Sequence, residues 1–528
     1  MLNYELQNYI HAAIVSLFSN NDGVKEFLAD TGAKIEYPKD RKFGDYSTPV
    51  AMQLTKILKK NPFEIAELIA GEIKKADAYS KVDVVKPGFI NIFLSDKTLF
   101  DELSLIIKQK NSYSKPEAKD SKIIFEYVSA NPTGPLHIGH ARWAALGDTL
   151  SRMLTWAGYE VYREFYVNDA GVQVENLNKT VNAIRNNLEI PEDGYHGEYV
   201  KECLDYNGEP IDYFLTRQKE TLSAFRVKFD NYFSEKKELH DKNLVEKTAA
   251  LLKEKGLSYE NEGATWFKST DFGDDKDRVL VKTDGKFTYF TPDIAYHKTK
   301  IDRGFDRIIN FFGADHHGYI KRIKAAVKAL SEREIGFDIL IGQLVFLFRN
   351  GEPVKLSKRT GNIITLREVM EEIGVDAMRY FLTMRKADTP FDFDLEIAKK
   401  STSDNPVFYI QYAFARINSI LRNAEEKGIV SDSNFTSQKL SDAERDLAVK
   451  ILKYPEEIVD AANSLEPHRV TNYLYDTATL FHKFYEKCRV IDEENKDITK
   501  MRLFIVLAVK ECLNTLLGLL GIDAPERM

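Results

Sequence analysis

The residues best suited to handling a phosphate close the run "SANPTGPLHIGHAR" at 129–142. His137 and His140 sit three residues apart there, so at the start of a helix they share one face. The apolar run "IIFEYV" before the loop reads as a buried strand, and "ARWAALGDTLSRMLTWAGY" after it reads as a helix closed by Gly158. A helix N-terminus carries unpaired N–H groups and a positive dipole end, and both imidazoles can donate to phosphate oxygens. Gly139 removes a side chain where a flat base could approach, and Pro132 and Pro135 stiffen the loop. Taken alone, the same pair also reads as a helix cap or a surface feature.

A second stretch, "VKLSKRTGN" at 354–362, places Lys355 and Lys358 on either side of Ser357 after a strongly apolar strand. Two lysines at this spacing can close on a triphosphate and neutralise charge that grows during phosphoryl chemistry. By itself such a loop is usually solvated surface. In this order, and 215 residues apart (355 − 140), the two stretches resemble the "HIGH" and "KMSKS" signatures of class I aminoacyl-tRNA synthetases. The second departs only by Leu356 in place of Met, a volume-conserving change.

An arginine substrate would need carboxylates or other acceptors facing a guanidinium, because bidentate pairing is its strong mode. Glu126 precedes the histidine loop, Ser129 and Asn131 lie within it, and Tyr289 and Asp293 fall at i and i+4 in "TYFTPDIAY". Asp293 reads equally as an ordinary acid at a helix start. The stretches "FEYVSANPTGPLHIGHAR", "YVNDAG", "YFTPDIAY", "GADHHGYIKR", "VKLSKRTGN", "DAMRYF", "NPVFYIQYAFARI" and "APERM" together resemble the arginyl-tRNA synthetase family. So do "FGDYSTPVAMQLTK" and "KPGFINI" near the N-terminus. The resemblance covers nearly the whole chain.

The resemblance implies an arginine–tRNA ligase: Mg·ATP and L-arginine give arginyl-adenylate, and arginine then passes to the 3′ end of tRNA(Arg) with release of AMP and pyrophosphate. It implies that Ser129 and Asn131 hold the α-amino and carboxylate groups. Tyr289, Asp293 and Glu126 would read the guanidinium. Asn131, Pro132, Thr133, Gly134, His137, Gly139 and His140 would bind ATP, with Lys355 and Lys358 on the phosphates. His137, His140, Lys355 and Lys358 would be the catalytic set. The segment with Asp315, His316 and His317 goes to the nucleotide or tRNA 3′-end region. No protein-bound metal is expected, Mg2+ arriving with ATP, and no editing domain is needed where buried acids already reject analogues.

These residues need elements to carry them. Residues 1–112 read as a small α+β unit, with helices in "YELQNYIHAAIVSLF" and "PFEIAELIAGEIKKA" and a strand pair in "KVDVVKPGFINIFLS". The polar stretch 108–122 reads as a linker. Residues 113–375 alternate strand and helix, the mark of a Rossmann-like, doubly wound parallel sheet, interrupted at about 184–275 by a charged, mostly helical insertion. Residues 376–528 read as all-α, and the resemblance makes them an anticodon-binding domain. In it Phe408, Tyr409, Tyr412, Arg416 and Arg422 supply the aromatic and arginine chemistry that single-stranded loops use. Tyr409, Tyr412, Arg416 and Met528 are the expected tRNA contacts, although most such aromatics are core. By the same resemblance the N-terminal unit would meet the tRNA D-loop, with Phe43, Gly44 and Asn91 as candidates.

Bulk properties bound the reading. The chain has 528 residues, a net charge of −7 and 43% hydrophobic residues, which suits several globular domains and argues against coating nucleic acid by bulk charge. A basic track must then be confined to one face. Cys203, Cys488 and Cys512 are far apart and form no C-x-x-C, so neither a disulfide framework nor a zinc knuckle is expected. The N-terminal stretch reads as an amphipathic helix, not a signal peptide, and no membrane role is expected. A cytoplasmic protein is expected, and the resemblance implies a monomer. Three other readings compete. A small adenylyltransferase would not need the helical domain, a non-catalytic RNA-binding relative would be expected to lose the signatures, and a synthetase for another amino acid would not need the acids.

Overall fold

The computed structural model describes residues 1–354, 364–431 and 439–528, and of 315–317 the backbone only. The N-terminal unit is α+β. Strands β1 (Tyr46–Thr48), β2 (Tyr79–Val85) and β3 (Phe89–Leu94) form an antiparallel sheet in the order β1-β3-β2. The helix Pro62–Ile73 starts on the Asn61 side chain, with proline at its first position, where the missing N–H costs nothing. It buries Ile65, Ala66, Ile69, Ala70 and Ile73. The stretch expected as a linker is packed instead: Tyr113 is buried 5.7 Å from the Tyr454 ring, and Trp156 Nε1 donates to the Asn111 carbonyl.

The centre is a five-stranded, wholly parallel sheet of β4 (Lys122–Glu126), β5 (Glu160–Val167), β6 (Asn231–Ser234), β10 (Arg307–Gly313) and β11 (Gly336–Gly342). Its order is β11-β10-β4-β5-β6. The first four residues after Lys122 are all buried, as a strand covered on both faces requires. β6 falls inside the stretch expected as a helical insertion and is the edge strand of this sheet. That stretch also holds most of a small antiparallel sheet of β7 (Ser258–Asn261), β8 (Ala264–Phe267) and β9 (Arg278–Val281). Farther on, β12 (Val345–Arg349) pairs with β13 (Glu352–Pro353) and, in parallel, with β14 (Phe391–Asp394). The region from 376 onward, expected to be wholly helical, thus includes a strand.

Strand order reverses between β4 and β10. Chains leaving their carboxyl ends diverge there and open a crevice, the usual ligand position in such sheets. The histidine loop leaves β4 at that point, and the "GADHHGY" turn (Ala314–Tyr319) leaves β10. The helix Ile138–Trp156 packs closely on the sheet: a Cβ at Gly147 would lie 2.4 Å from the Tyr127 ring.

The C-terminal helices Pro406–Glu426, Asp442–Leu452, Tyr454–Asn463, His468–Lys487 and Lys496–Leu520 pack as a bundle. The last is long and apolar enough to cross a membrane, but its apolar residues fill the bundle core. Arg379 ties the bundle to the helix Ile138–Trp156 that covers the sheet. It is fully buried and donates to Asp148 Oδ2 at 2.6 Å and to the carbonyls of Leu520 and Phe225.

Candidate active site

His137 caps the helix Ile138–Trp156. Its Nδ1 accepts from the Gly139 amide at 3.2 Å, and His140 Nδ1 accepts from the His137 amide at 3.3 Å. A neutral imidazole that accepts at Nδ1 carries its proton at Nε2. Each ring therefore has an Nε2–H donor besides its capping bond. The rings stack with centroids 3.8 Å apart. A Cβ at Gly139 would press on the His137 ring at 3.1 Å.

The loop before the helix is braced. The buried Gln218 side chain donates to the carbonyls of Asn131 (3.1 Å) and Gly134 (2.9 Å). Pro132 and Thr133 are buried, while Asn131 is exposed. Val128 and Ser129 take left-handed φ values of 69° and 40°, which turn the chain off the strand at a cost of about 1–2 kcal/mol each. Lys355 and Lys358 lie outside the described residues. The flanking segment is tied to the histidines: Thr365 bridges His137, and the Leu366 amide donates to the Leu136 carbonyl at 2.7 Å.

The acids form a row. In register across the sheet, Asn310, Glu126, Glu164 and Asn231 stand side by side. The helix Phe290–Asp302 and the residue after it supply their partners. Lys300 Nζ donates to Glu126 Oε2 at 2.7 Å and to Asn310 Oδ1 at 3.0 Å. Tyr296 and Arg303 donate to Glu164 at 3.0 and 2.8 Å. Ser129 Oγ donates to Glu126 Oε1 at 3.0 Å. Glu126, expected to face the guanidinium, is thus already engaged at both oxygens.

Asp293 stands in the first turn of that helix and accepts from the Tyr319 hydroxyl. It keeps 31% of its side chain exposed, yet burial pushes its carboxyl up to about 6, with Glu126 and Glu235 adding to the rise. Glu235, directly after β6, is the acid that sequence reading missed; only its place at a strand's carboxyl end distinguishes it among neighbouring charges. Tyr289 does not join the cluster: it precedes the helix and is 88% exposed. The side chains of Asp315, His316 and His317 lie outside the described residues.

A second candidate surface lies on the bundle, a cleft of about 840 Å³ lined in part by Tyr412, Arg416, Tyr485, Arg489, Arg527 and Met528. With Arg422 and Lys427 its described lining gathers five cations and one acid, Glu486, so an acidic chain does carry a basic patch. Arg416 lies 4.7 Å from the ring centroids of both Tyr412 and Tyr485. Tyr409 turns inward onto His482, centroids 4.4 Å apart, outside this lining. In the N-terminal unit Phe43 is exposed, but Asn91 is buried and accepts from Ser47 Oγ at 2.9 Å.

Comparisons with known proteins agree on one family. Family models for the arginyl tRNA synthetase N terminal domain, the class I (R) tRNA synthetase catalytic domain and the DALR anticodon binding domain match residues 4–94, 102–209 with 211–390, and 410–528. The arginine–tRNA ligase of Shouchella clausii is 46% identical over 523 residues, 94% of each chain. That of Bacillus subtilis is 45% identical over 553 residues, 99% of this chain and 98% of its own. The arginyl-tRNA synthetase of Thermus thermophilus shares the fold, with a TM-score of 0.80 at 23% identity over the whole of both chains. The chain belongs to the arginyl-tRNA synthetase family, and it is an ATP-dependent ligase that charges tRNA(Arg) with arginine.

Proposed function

We propose a division of labour among the named residues. Asp293, with Tyr319 bonded to it and Glu235 nearby, reads the guanidinium; Ser129 and Asn131 orient the α-amino and carboxylate groups. The carboxylate then attacks the α-phosphorus of ATP, and pyrophosphate leaves. The Nε2–H groups of His137 and His140 meet phosphate oxygens at the start of their helix, beside the loop of Asn131, Pro132, Thr133 and Gly134. Lys355 and Lys358 neutralise the leaving pyrophosphate. Mg2+ enters with the phosphates of ATP, in keeping with a cation that retains water and phosphate oxygens as ligands. The terminal adenosine of the tRNA next attacks the acyl carbonyl through its 2′-hydroxyl, the acyl–phosphate bond breaks and AMP leaves. No protein nucleophile takes part, so positioning and electrostatics lower the barrier.

One observation carries this reading: the capped histidine pair and Asp293 flank the switch point of one parallel sheet. Tyr412, Arg416 and Met528 are assigned to the anticodon loop on the basic cleft they share; Tyr409 shapes that surface from behind. Tyr289 takes part only by swinging in from its exposed position. We read the chain as a cytoplasmic monomer, a reading supported by three free, buried thiols; sedimentation of the purified protein tests the monomer.

The test of the whole is ATP–pyrophosphate exchange with each of the twenty amino acids, with and without tRNA. Exchange with arginine alone, and only when tRNA is present, supports the reading. Exchange that is indifferent to the amino acid offered would reject the assigned pocket.

A further inference from the structure

The row Asn310–Glu126–Glu164–Asn231 is closed on one side by a buried cation that the reaction as described does not use. Lys300 is fully buried. Its Nζ meets Glu126 and Asn310 and lies 4.1 Å from the centre of the Tyr296 ring. Asn310 in turn donates through Nδ2 to His297 Nε2 at 2.8 Å, so His297 Nδ1–H donates to the Asp293 carbonyl, also at 2.8 Å. Glu126 continues the chain the other way. Its second oxygen holds the Ser129 hydroxyl, and Ser129 Oγ accepts from the Tyr166 amide at 3.1 Å. One ammonium thus links the Asp293 turn to the left-handed bend that launches the histidine loop.

We propose that Lys300 is a positioning residue for arginine activation. It keeps Glu126 as an internal ion pair, which pins the Val128–Ser129 bend and leaves Asp293 as the acid that meets the guanidinium. A strained bend persists only where its surroundings over-determine it, and the Lys300–Glu126–Ser129 chain supplies that constraint. A buried pair with both partners present is tolerated, whereas one partner alone is strongly unfavourable. Without Lys300, Glu126 would stand as an uncompensated charge close to Asp293. Among the described residues, the charged and titratable groups facing Asp293 are Glu126 from β4, Tyr166 from β5, Glu235 after β6, Tyr319 from the turn after β10, and Lys300 and His297 from its own helix. Of these, the Tyr319 hydrogen bond and then Lys300 favour its ionised form, and the two glutamates oppose it.

The inference rests on the assignment of Asp293 to the guanidinium, and the experiment separates the two. Steady-state exchange with tRNA present would compare wild type, Lys300→Met, Lys300→Arg, Glu126→Gln, the Lys300→Met/Glu126→Gln double variant and Asp293→Asn, each checked for folding by thermal melting. Lys300→Met should raise the arginine KM about tenfold or more and leave the ATP KM in place. It should also move the acid limb of the arginine kcat/KM profile upward by about one pH unit. Lys300→Arg should restore part of the loss, and the double variant should be less impaired than Lys300→Met alone, because the stranded carboxylate is gone. Strictly additive effects with an unmoved acid limb would overturn the role of Lys300. If Lys300→Met fails to fold, the Arg variant and the acid limb of Glu126→Gln carry the same decision. An unchanged arginine KM in Asp293→Asn, with the 126–300 coupling intact, would instead remove the guanidinium assignment.

Discussion

His137 and His140 stack their rings at 3.8 Å while each accepts a backbone amide at Nδ1 within the same helix start. The pair is a capping box, and the phosphate-binding role proposed for it would use the other ring nitrogens. That separation is testable. Asn is a good N-cap but lacks the distal donor. His137→Asn should keep thermal stability near wild type and lose ATP-dependent rate by one to two orders of magnitude, an estimate for one lost transition-state donor of ~2 kcal/mol. His137→Ala should lose the same rate and about 1 kcal/mol of stability as well. Equal activity in Asn and wild type would mean that the ring serves only as a cap.

The raised carboxyl of Asp293 gives a pH dependence with a definite sign. With its titration at about 6, it is ionised above that pH and increasingly neutral below it. A neutral acid attracts a guanidinium weakly, so the arginine KM should rise as pH falls through about 6, approaching tenfold per unit. Bound arginine favours the carboxylate, so the inflection in kcat should lie lower than that in kcat/KM. A KM flat from pH 5 to 8 would show that another group reads the substrate.

How much of this could be read from the chain is clear at particular residues. The capped helix was legible because a buried strand, a Gly/Pro loop and an apolar helix occur in immediate succession. β6 was not: "NYFS" is four residues long and lies among charged neighbours, and a short edge strand leaves little pattern. β14, "FDFD", does alternate, but is equally brief within a helical stretch. Asp293 was legible as an acid at a helix start. The engagement of Glu126 was not, since Lys300 lies 174 residues away and register alone brings them together. Tyr289 and Asp293 are four residues apart in sequence, but the helix begins one residue after Tyr289, which stands exposed before it.

Arg379 should matter for stability out of proportion to its distance from the chemistry. Both it and Asp148 are fully buried, and it also satisfies the carbonyls of Leu520 and Phe225 where catalytic-region helices meet the bundle. Breaking such a pair from one side costs about 3–5 kcal/mol. Arg379→Met should therefore lower the urea midpoint markedly, even though Arg152 still reaches Asp148 at 2.7 Å. A loss below ~1 kcal/mol would show that the junction is not stabilised in this way.

The basic cleft should behave as a loop-binding surface. Arg416→Ala removes a cation held between two tyrosine rings. Binding of tRNA(Arg) should weaken at low salt, and if Arg416 meets a phosphate the slope of log K against log salt should fall by about one. Arginine activation by tRNA already at saturation should be little changed. Unaltered tRNA affinity would move the anticodon surface elsewhere on the bundle.

The most direct measurement is steady-state exchange by Asp293→Ala with tRNA present, varying arginine and ATP separately. Loss of a desolvated, charge-assisted contact of ~3 kcal/mol or more corresponds to a rise in arginine KM of about a hundredfold, with the ATP KM essentially unmoved. An arginine KM within about twofold of wild type would contradict the assignment of the guanidinium to Asp293.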